Sequence, residues 1–219
     1  MEPLVFEETH LAGTSGAVRR SIVEELAPRL RRMSPEPSDA EELARRLLAE
    51  PLPRRWSHVV AVAQKARAIA QELGAEAKLL EATAWMHDLG YAPGLATTGF
   101  HPLDGARYLR DHGASQRVVD LVALHSSARA EAQEFGVADE LAEFQDERTL
   151  TRDLLWYCDM TTGPDGSDME FEARMAEVRE RYGPDHYVTR ALDAGMDERR
   201  AAVQRSRDWL TRVGLANQV

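Results

Sequence analysis

Apolar residues in this chain recur every third or fourth position and stop at glycine or proline, a spacing that suits helices. Val18, Ile22, Leu26 and Leu30 are four apart. They predict one face of a helix over 16–33, with Pro28 as a kink. The alternation of Val and Ile that marks a half-buried strand is nearly absent, while Ala, Leu, Glu and Arg dominate. That balance predicts an all-α protein. "SPEPSD" and "EPLPRR" break the pattern. Ser38 or Asp39 is expected to cap a helix running to Ala49. The next helices are expected from Trp56 to Leu73, stopped by Gly74, and over 76–89, stopped by Gly90, because glycine takes the left-handed conformation past a helix end. "HPLDGARYLRDHG" reads as a helix with Pro102 at its first position and Gly113 as its stop. Ser115 caps "QRVVDLVALHSS". Further helices are expected around 133–145, over 149–160, from Ser167 and Glu170 at capping-box spacing, and over 185–212.

The 219 residues suffice to bury a core. The net charge of −10 opposes general binding to nucleic acid backbones, whose phosphates reward clustered Lys and Arg. A small anion is still acceptable if local cations or a metal outweigh that field. No apolar run approaches the ~20 residues needed to cross a bilayer. The acidic start "MEPLVFEETH" lacks the basic and apolar regions of a secretory signal. The lone Cys158 excludes an internal disulfide and reads as a small core residue. A cytoplasmic protein without membrane contact is expected.

Several polar residues fall on the apolar faces of these segments. Asp88 shares a face with Ala84 and Trp85, and Asp159 with Leu155 and Trp156. His125 follows Val118, Leu121 and Val122 at helical spacing, and His58 lies one turn before Val62. A carboxylate on an apolar face is costly to bury unless a cation neutralises it. Each histidine alone is also explained as a hydrogen-bonded core residue, and His101 as a loop residue before Pro102. Together they predict a divalent metal, since imidazole nitrogen and carboxylate oxygen suit Fe, Mn, Zn or Ni.

The ordered set resembles the HD-domain superfamily of metal-dependent phosphohydrolases. The resemblance rests on His58 in "RRWSHVVAVAQKA", His87 and Asp88 in "WMHDLG", and Asp159 in "LLWYCDMTTG", with Arg55 fitting the family context. It covers roughly residues 54–163. His101 and His125 lie in the interval where two-metal branches add two histidines. "GFHPLDGARYLRDHG" followed by "VVDLVALHS" looks like the branch that includes symmetrical diadenosine tetraphosphate hydrolases. Where many two-metal relatives end the following segment in Lys, this chain has Tyr91. The resemblance implies an HD-domain helical bundle with additional N- and C-terminal helices. Residues 1–50 would form a helical extension, 51–183 the metal-binding domain, and 184–219 a C-terminal helix packing on it. The terminal segments suit either packing on the bundle or a homo-oligomer.

The implied ligands are His58, His87 and Asp159 for one ion and His101 and His125 for another, with Asp88 bridging. Fe or Mn is expected first, with Zn, Ni, Co or Mg as alternatives, and one or two ions. The implied reaction is hydrolysis of a small phosphoester by metal-activated water, with nucleotides and dinucleoside polyphosphates among the candidate substrates. Asp88 would orient or deprotonate the water. Asp104 is placed to protonate a leaving oxygen, although an acidic residue in a helix's first turn has a structural reason too. Lys65, Arg107 and Arg129 are candidates to bind the substrate, and each is also explained as a solvated charge. The same ligands fit two other readings, an HD-type two-iron oxygenase and a non-catalytic metal-binding sensor. The loops "YAPGLATTGF" and "TTGPDGS" are expected to border the pocket.

Overall fold

The computed structural model describes residues 36–216; the helix expected over 16–33 lies outside them. The helices are α1 (Pro37–Leu48), α2 (Pro53–Ala70), α3 (Ala77–Met86), α4 (His101–Asp111), α5 (Gln116–Ala123), α6 (Ala128–Phe135), α7 (Ala138–Leu141), α8 (Leu150–Met160), α9 (Phe171–Tyr182), α10 (Tyr187–Ala194) and α11 (Met196–Arg212). Short 3-10 turns occupy Gln71–Glu76, Leu89–Tyr91 and His125–Ser127. Among the described residues there is no strand, only an isolated bridge between Thr162 and Asp168. The protein is all-α, and among the described residues no helix is long and apolar enough to cross a membrane.

Helix α3 is the axis of the bundle. Leu79, Leu80, Ala82, Thr83, Ala84, Trp85 and Met86 are all buried, as befits a helix apolar on nearly every side. It packs against α1, α2, α5 and α8. The Thr83 hydroxyl donates to the Leu79 carbonyl at 2.8 Å, so this buried hydroxyl is satisfied within the helix. Helix α2 is one-sided. His58 shares its buried face with Val59, Val62, Ala66 and Ile69, so the periodicity that buries the valines also carries the imidazole inward. Helix α8 is buried through most of its length and packs against α2, α3 and α11.

Helix α11 is fastened to α8 by interior charge. Arg152, 2 % exposed, donates to Asp146, to Asp153 at 2.8 Å and to Glu198 at 3.0 Å. Its guanidinium lies 3.5 Å from the centre of the Trp156 ring. Arg205 on α11 reaches the same Asp153. A buried cation with this many charged acceptors is held by partners from both helices.

Several boundaries differ from expectation. Helix α1 starts at Pro37 with Glu36 at its N-cap and no side-chain cap, so Ser38 and Asp39 sit in its first turn. Helix α2 starts at Pro53 rather than Trp56; in both cases proline's missing N–H costs nothing in a first turn. Ser115 does cap α5, accepting from Val118 N. Ser167 does not cap α9. Its N–H and hydroxyl donate to Asp165, and Glu170 is the N-cap. The segment expected as a helix around 133–145 is divided between α6 and α7. The last expected helix is divided at Gly195 into α10 and α11.

Gly90 has a different role from the one expected. It is absent from the glycines with positive φ. A Cβ there would lie 2.0 Å from the His101 carbonyl oxygen and 2.7 Å from the Gly105 nitrogen. Its missing side chain lets the start of α4 cross directly over the turn that follows His87 and Asp88. Gly136, by contrast, is a left-handed C-cap (φ 71) with open space around it. Gly90→Ala should therefore destabilise the fold by about 3 kcal/mol, because the clash is with backbone. Gly136→Ala should cost only about 1 kcal/mol, the price of the conformation. Denaturant unfolding of the two variants checks the order.

Candidate metal centre

Five helical elements deliver six side chains to one place. His58 comes from the middle of α2, and His87 and Asp88 from the end of α3. His101 opens α4, His125 follows α5, and Asp159 lies in the last turn of α8. His58, His87, Asp88 and His125 are all at most 3 % exposed. Two triads result, His58–His87–Asp159 and Asp88–His101–His125. In each, one potential ligand atom per residue lies within 4.8 Å of the others.

Three of the imidazoles are oriented by the backbone. His58 Nδ1 is 3.0 Å from the Gly163 carbonyl oxygen, His87 Nδ1 2.7 Å from that of Ala84, and His125 Nδ1 2.6 Å from that of Val122. A carbonyl can only accept, so each Nδ1 carries the hydrogen and each Nε2 is turned to the cluster. A metal-ligating histidine has the same arrangement, its second nitrogen anchored to a carbonyl or carboxylate.

Asp88 stands between the triads with one oxygen for each. Its Oδ2 is 3.4 Å from His87 Nε2 and 3.8 Å from His58 Nε2. Its Oδ1 is 3.3 Å from His101 Nε2 and 3.9 Å from His125 Nε2. Asp159 Oδ1 lies 3.1 Å from His58 Nε2 and 3.8 Å from His87 Nε2. The Nε2 atoms of His101 and His125 are themselves 3.1 Å apart.

The electrostatics favour a cation here. Burial pushes His87 below its ordinary value of 6.5 and His101 well below it, against the pull of Asp88. Both are then neutral at pH 7. With its Nδ1 hydrogen given to Ala84, His87 presents a bare lone pair that is buried and has no hydrogen-bond partner. It faces two carboxylates. Burial pushes Asp88 upward, but Arg55 and the surrounding histidines outweigh it and hold the carboxyl well below its usual range. Asp159 is likewise held low, burial being outweighed by the adjacent His58 ring and by the neighbouring imidazoles. A lone pair aimed at carboxylates in the interior is unfavourable unless a positive charge lies between them. The donor set of imidazole nitrogen and carboxylate oxygen fits a divalent transition metal.

Arg55 and Tyr91 complete the rim. Arg55 Nη1 donates to Asp88 Oδ2 at 2.6 Å. Its guanidinium carbon is 4.0 Å from the centre of the Tyr91 ring. On the other face Tyr91 stacks on His101, with centroids 4.0 Å apart and planes at 18°. The tyrosine that replaces the expected lysine thus holds a cation and a histidine together. Burial raises the Tyr91 phenol above its ordinary range, which keeps it neutral.

Other expected site residues have different surroundings. Asp104 is buried and accepts from Thr97 N at 3.1 Å, Thr97 Oγ1 at 2.6 Å, and Thr98 N and Oγ1 at 3.0 Å each. These bonds anchor the loop that leads into His101. Lys65 donates to the carbonyl and hydroxyl of Thr161 at 2.9 Å and pairs with Asp168. It ties down the loop after Asp159. Arg107 pairs with Glu140, and Arg129 donates to the Phe144 carbonyl at 2.7 Å. These three cations are engaged by protein groups, and the guanidinium on the cluster is that of Arg55. Cys158 is fully buried, and burial pushes its thiol up to about 12, in keeping with an inert core residue. Ser126, Glu131 and Arg199 also adjoin the cluster. Nothing in their local sequence pattern marks them.

A helical bundle with two His/Asp triads at its centre defines a class, and comparison with known proteins gives it a name. Residues 55–158 match the family described as HD domain. It is similar to ribonuclease Y of Rubrobacter xylanophilus, 39 % identical over 69 residues, which are 32 % of this chain and 13 % of that protein. It is also similar to a deoxyguanosinetriphosphate triphosphohydrolase-like protein of Rhodopseudomonas palustris, 48 % identical over 59 residues, which are 27 % of this chain and 14 % of that protein. The chain thus spans only a small part of the length of these relatives. No solved structure matches the chain at a significant level.

The lowered histidines have a consequence for the metal-free protein. Below pH 6.5 the unfolded chain binds protons that folded His87 and His101 refuse. Their contribution to stability is therefore complete above that pH and is lost progressively as pH falls below it toward the lowered folded values. Urea midpoints of chelator-treated protein should decline between about pH 7.5 and 5.5, and His87→Asn should flatten the decline.

Proposed function

We propose that the protein is a metal-dependent phosphohydrolase that cleaves a small phosphoester with water. The observation that carries this reading is the division of Asp88 between two triads, one oxygen facing each. In this reading His58, His87 and Asp159 hold one divalent ion, His101 and His125 hold a second, and Asp88 joins them. Fe or Mn suits the mixed nitrogen and oxygen donors. When bound, such ions bring the pKa of a water ligand toward neutrality and polarise phosphoryl oxygens.

The chain's own groups have distinct tasks. The carbonyls of Gly163, Ala84 and Val122 keep three Nδ1 protons in place and so keep the Nε2 lone pairs on the centre. Asp88, held ionised by Arg55 and the histidines, is a poor proton acceptor. Its role is to ligate and orient. Arg55 uses Nη1 on Asp88 and keeps 28 % of its side chain exposed. Its remaining donors suit a phosphate oxygen beside the centre. Tyr91 fixes Arg55 and His101 against each other. The global charge of −10 repels phosphates, so this local positive site must dominate at short range.

Both relatives' names refer to phosphoester cleavage, and one of them to a nucleoside triphosphate. That supports hydrolysis over oxygen chemistry and a nucleotide-type substrate among small phosphoesters. The net charge of −10 favours a small molecule over a long nucleic acid. In this reading residues 51–183 form the catalytic unit, and among the described residues α1 packs on α3, and α11 on α8.

Metal-stripped protein reloaded with Mn²⁺ or Fe²⁺ should release product from at least one member of a nucleotide and phosphoester panel under nitrogen. Asp88→Ala should lose both metal and turnover. Turnover that requires oxygen, or none from any phosphoester with two ions bound, would sink the reading. Arg55→Ala should lower kcat/KM about 100-fold with both ions retained. Unchanged kinetics would remove Arg55 from the substrate site.

A further inference from the structure

Asp88 is not the only link between the triads. Immediately after His125 the chain turns through Ser126 (φ 49, ψ 38) and Ser127 (φ 65, ψ 34). These are two consecutive non-glycine residues in the left-handed region, an arrangement that persists only where the surroundings enforce it. The enforcing group is Arg199 on α11, 1 % exposed. Its Nε donates to the Ser126 carbonyl at 3.0 Å and its Nη1 to the Leu192 carbonyl at 2.6 Å, while Nη2 pairs with Glu131. Gly195 makes room for it. A Cβ there would lie 2.5 Å from Arg199 Nη1 and 2.6 Å from Ser127 Oγ.

The turn has a second attachment. The Ser126 hydroxyl donates to Asp159 Oδ2, while the other oxygen of that carboxylate faces His58. Ser126 is thus bonded to a member of one triad and adjacent in sequence to a member of the other. We propose that Ser126 and Arg199 are positioning residues of the metal centre. Arg199 holds the left-handed turn, and the turn fixes Asp159 and His125 relative to each other. This assigns part of the site to α11, which lies beyond the matched segment 55–158. The inference rests on the metal-centre reading above.

The test separates positioning from simple stability. The metal-stripped full chain is titrated with Mn²⁺ in a calorimeter, and the thermal midpoint of the metal-free form is measured alongside. Glycine takes the left-handed conformation freely but lacks the hydroxyl. Ser126→Gly should therefore keep or raise the metal-free midpoint while weakening Mn²⁺ binding about 10–100-fold, the usual effect of losing a group that orients a ligand. Ser126→Ala should weaken binding similarly and lower the midpoint. Arg199→Gln combined with Glu131→Gln, which removes the buried pair without stranding a charge, should also weaken binding. Wild-type affinity and stoichiometry in Ser126→Gly would overturn the proposal. So would affinity and midpoint falling together in that variant. Asp88→Ala keeps the two ideas distinct. If the wild type binds Mn²⁺ and Asp88→Ala does not, the metal centre stands, Ser126→Gly judges Ser126, and wild-type affinity in the Arg199→Gln, Glu131→Gln variant would remove Arg199 from the proposal. If the wild type binds none, both ideas fall.

Discussion

An imidazole lone pair and a carboxylate oxygen cannot face each other in a protein interior without a positive charge between them. The bundle is organised around several such encounters. His87 Nε2 has no protein partner, His58 Nε2 faces Asp159, and both oxygens of Asp88 face histidines. Burying these groups is expensive. The cost is offset if their removal from water creates a place where a divalent cation binds more strongly than it could at the surface.

The backbone carries much of this work. Helix ends converge on the centre, and carbonyls near those ends orient the rings: Ala84 and Val122 each hold the histidine three residues on. Gly163, in the loop after α8, does the same for His58 across more than a hundred residues of sequence. Two glycines act by absence. Gly90 lets α4 bring His101 over the His87–Asp88 turn, and Gly195 leaves space for the guanidinium of Arg199. A site defined by close backbone approach is less adaptable than one built on flexible loops. Asp104 and Lys65 extend the same logic outward, each tying down a loop that adjoins a residue of the cluster.

Charge is distributed at two scales. The chain as a whole is acidic, yet the groups nearest the centre include a guanidinium stacked on an aromatic ring. Arg55 keeps Asp88 ionised and keeps part of its own surface open. One cation can therefore serve the protein's carboxylate and an incoming anion. Tyr91, between Arg55 and His101, makes that pairing rigid without adding charge.

Local pattern was enough for the all-α class, for most of the helices among the described residues, for their inward faces and for the residue types at the six central positions. These follow from periodicity, which is a property of neighbours along the chain: His58 is buried because it shares a face with Val62, and Asp159 points inward because it shares one with Leu155. Helix starts were less legible, since a proline or a residue outside the pattern, as at Pro53 and Glu170, can begin a helix. The tertiary structure alone decided which oxygen of Asp88 faces which triad, that Arg55 rather than Lys65, Arg107 or Arg129 reaches the cluster, and that Asp104 holds a loop. It also placed Ser126 in a left-handed turn under Arg199. Those outcomes depend on contacts between segments far apart in the chain, and no local spacing encodes the distance between two helices.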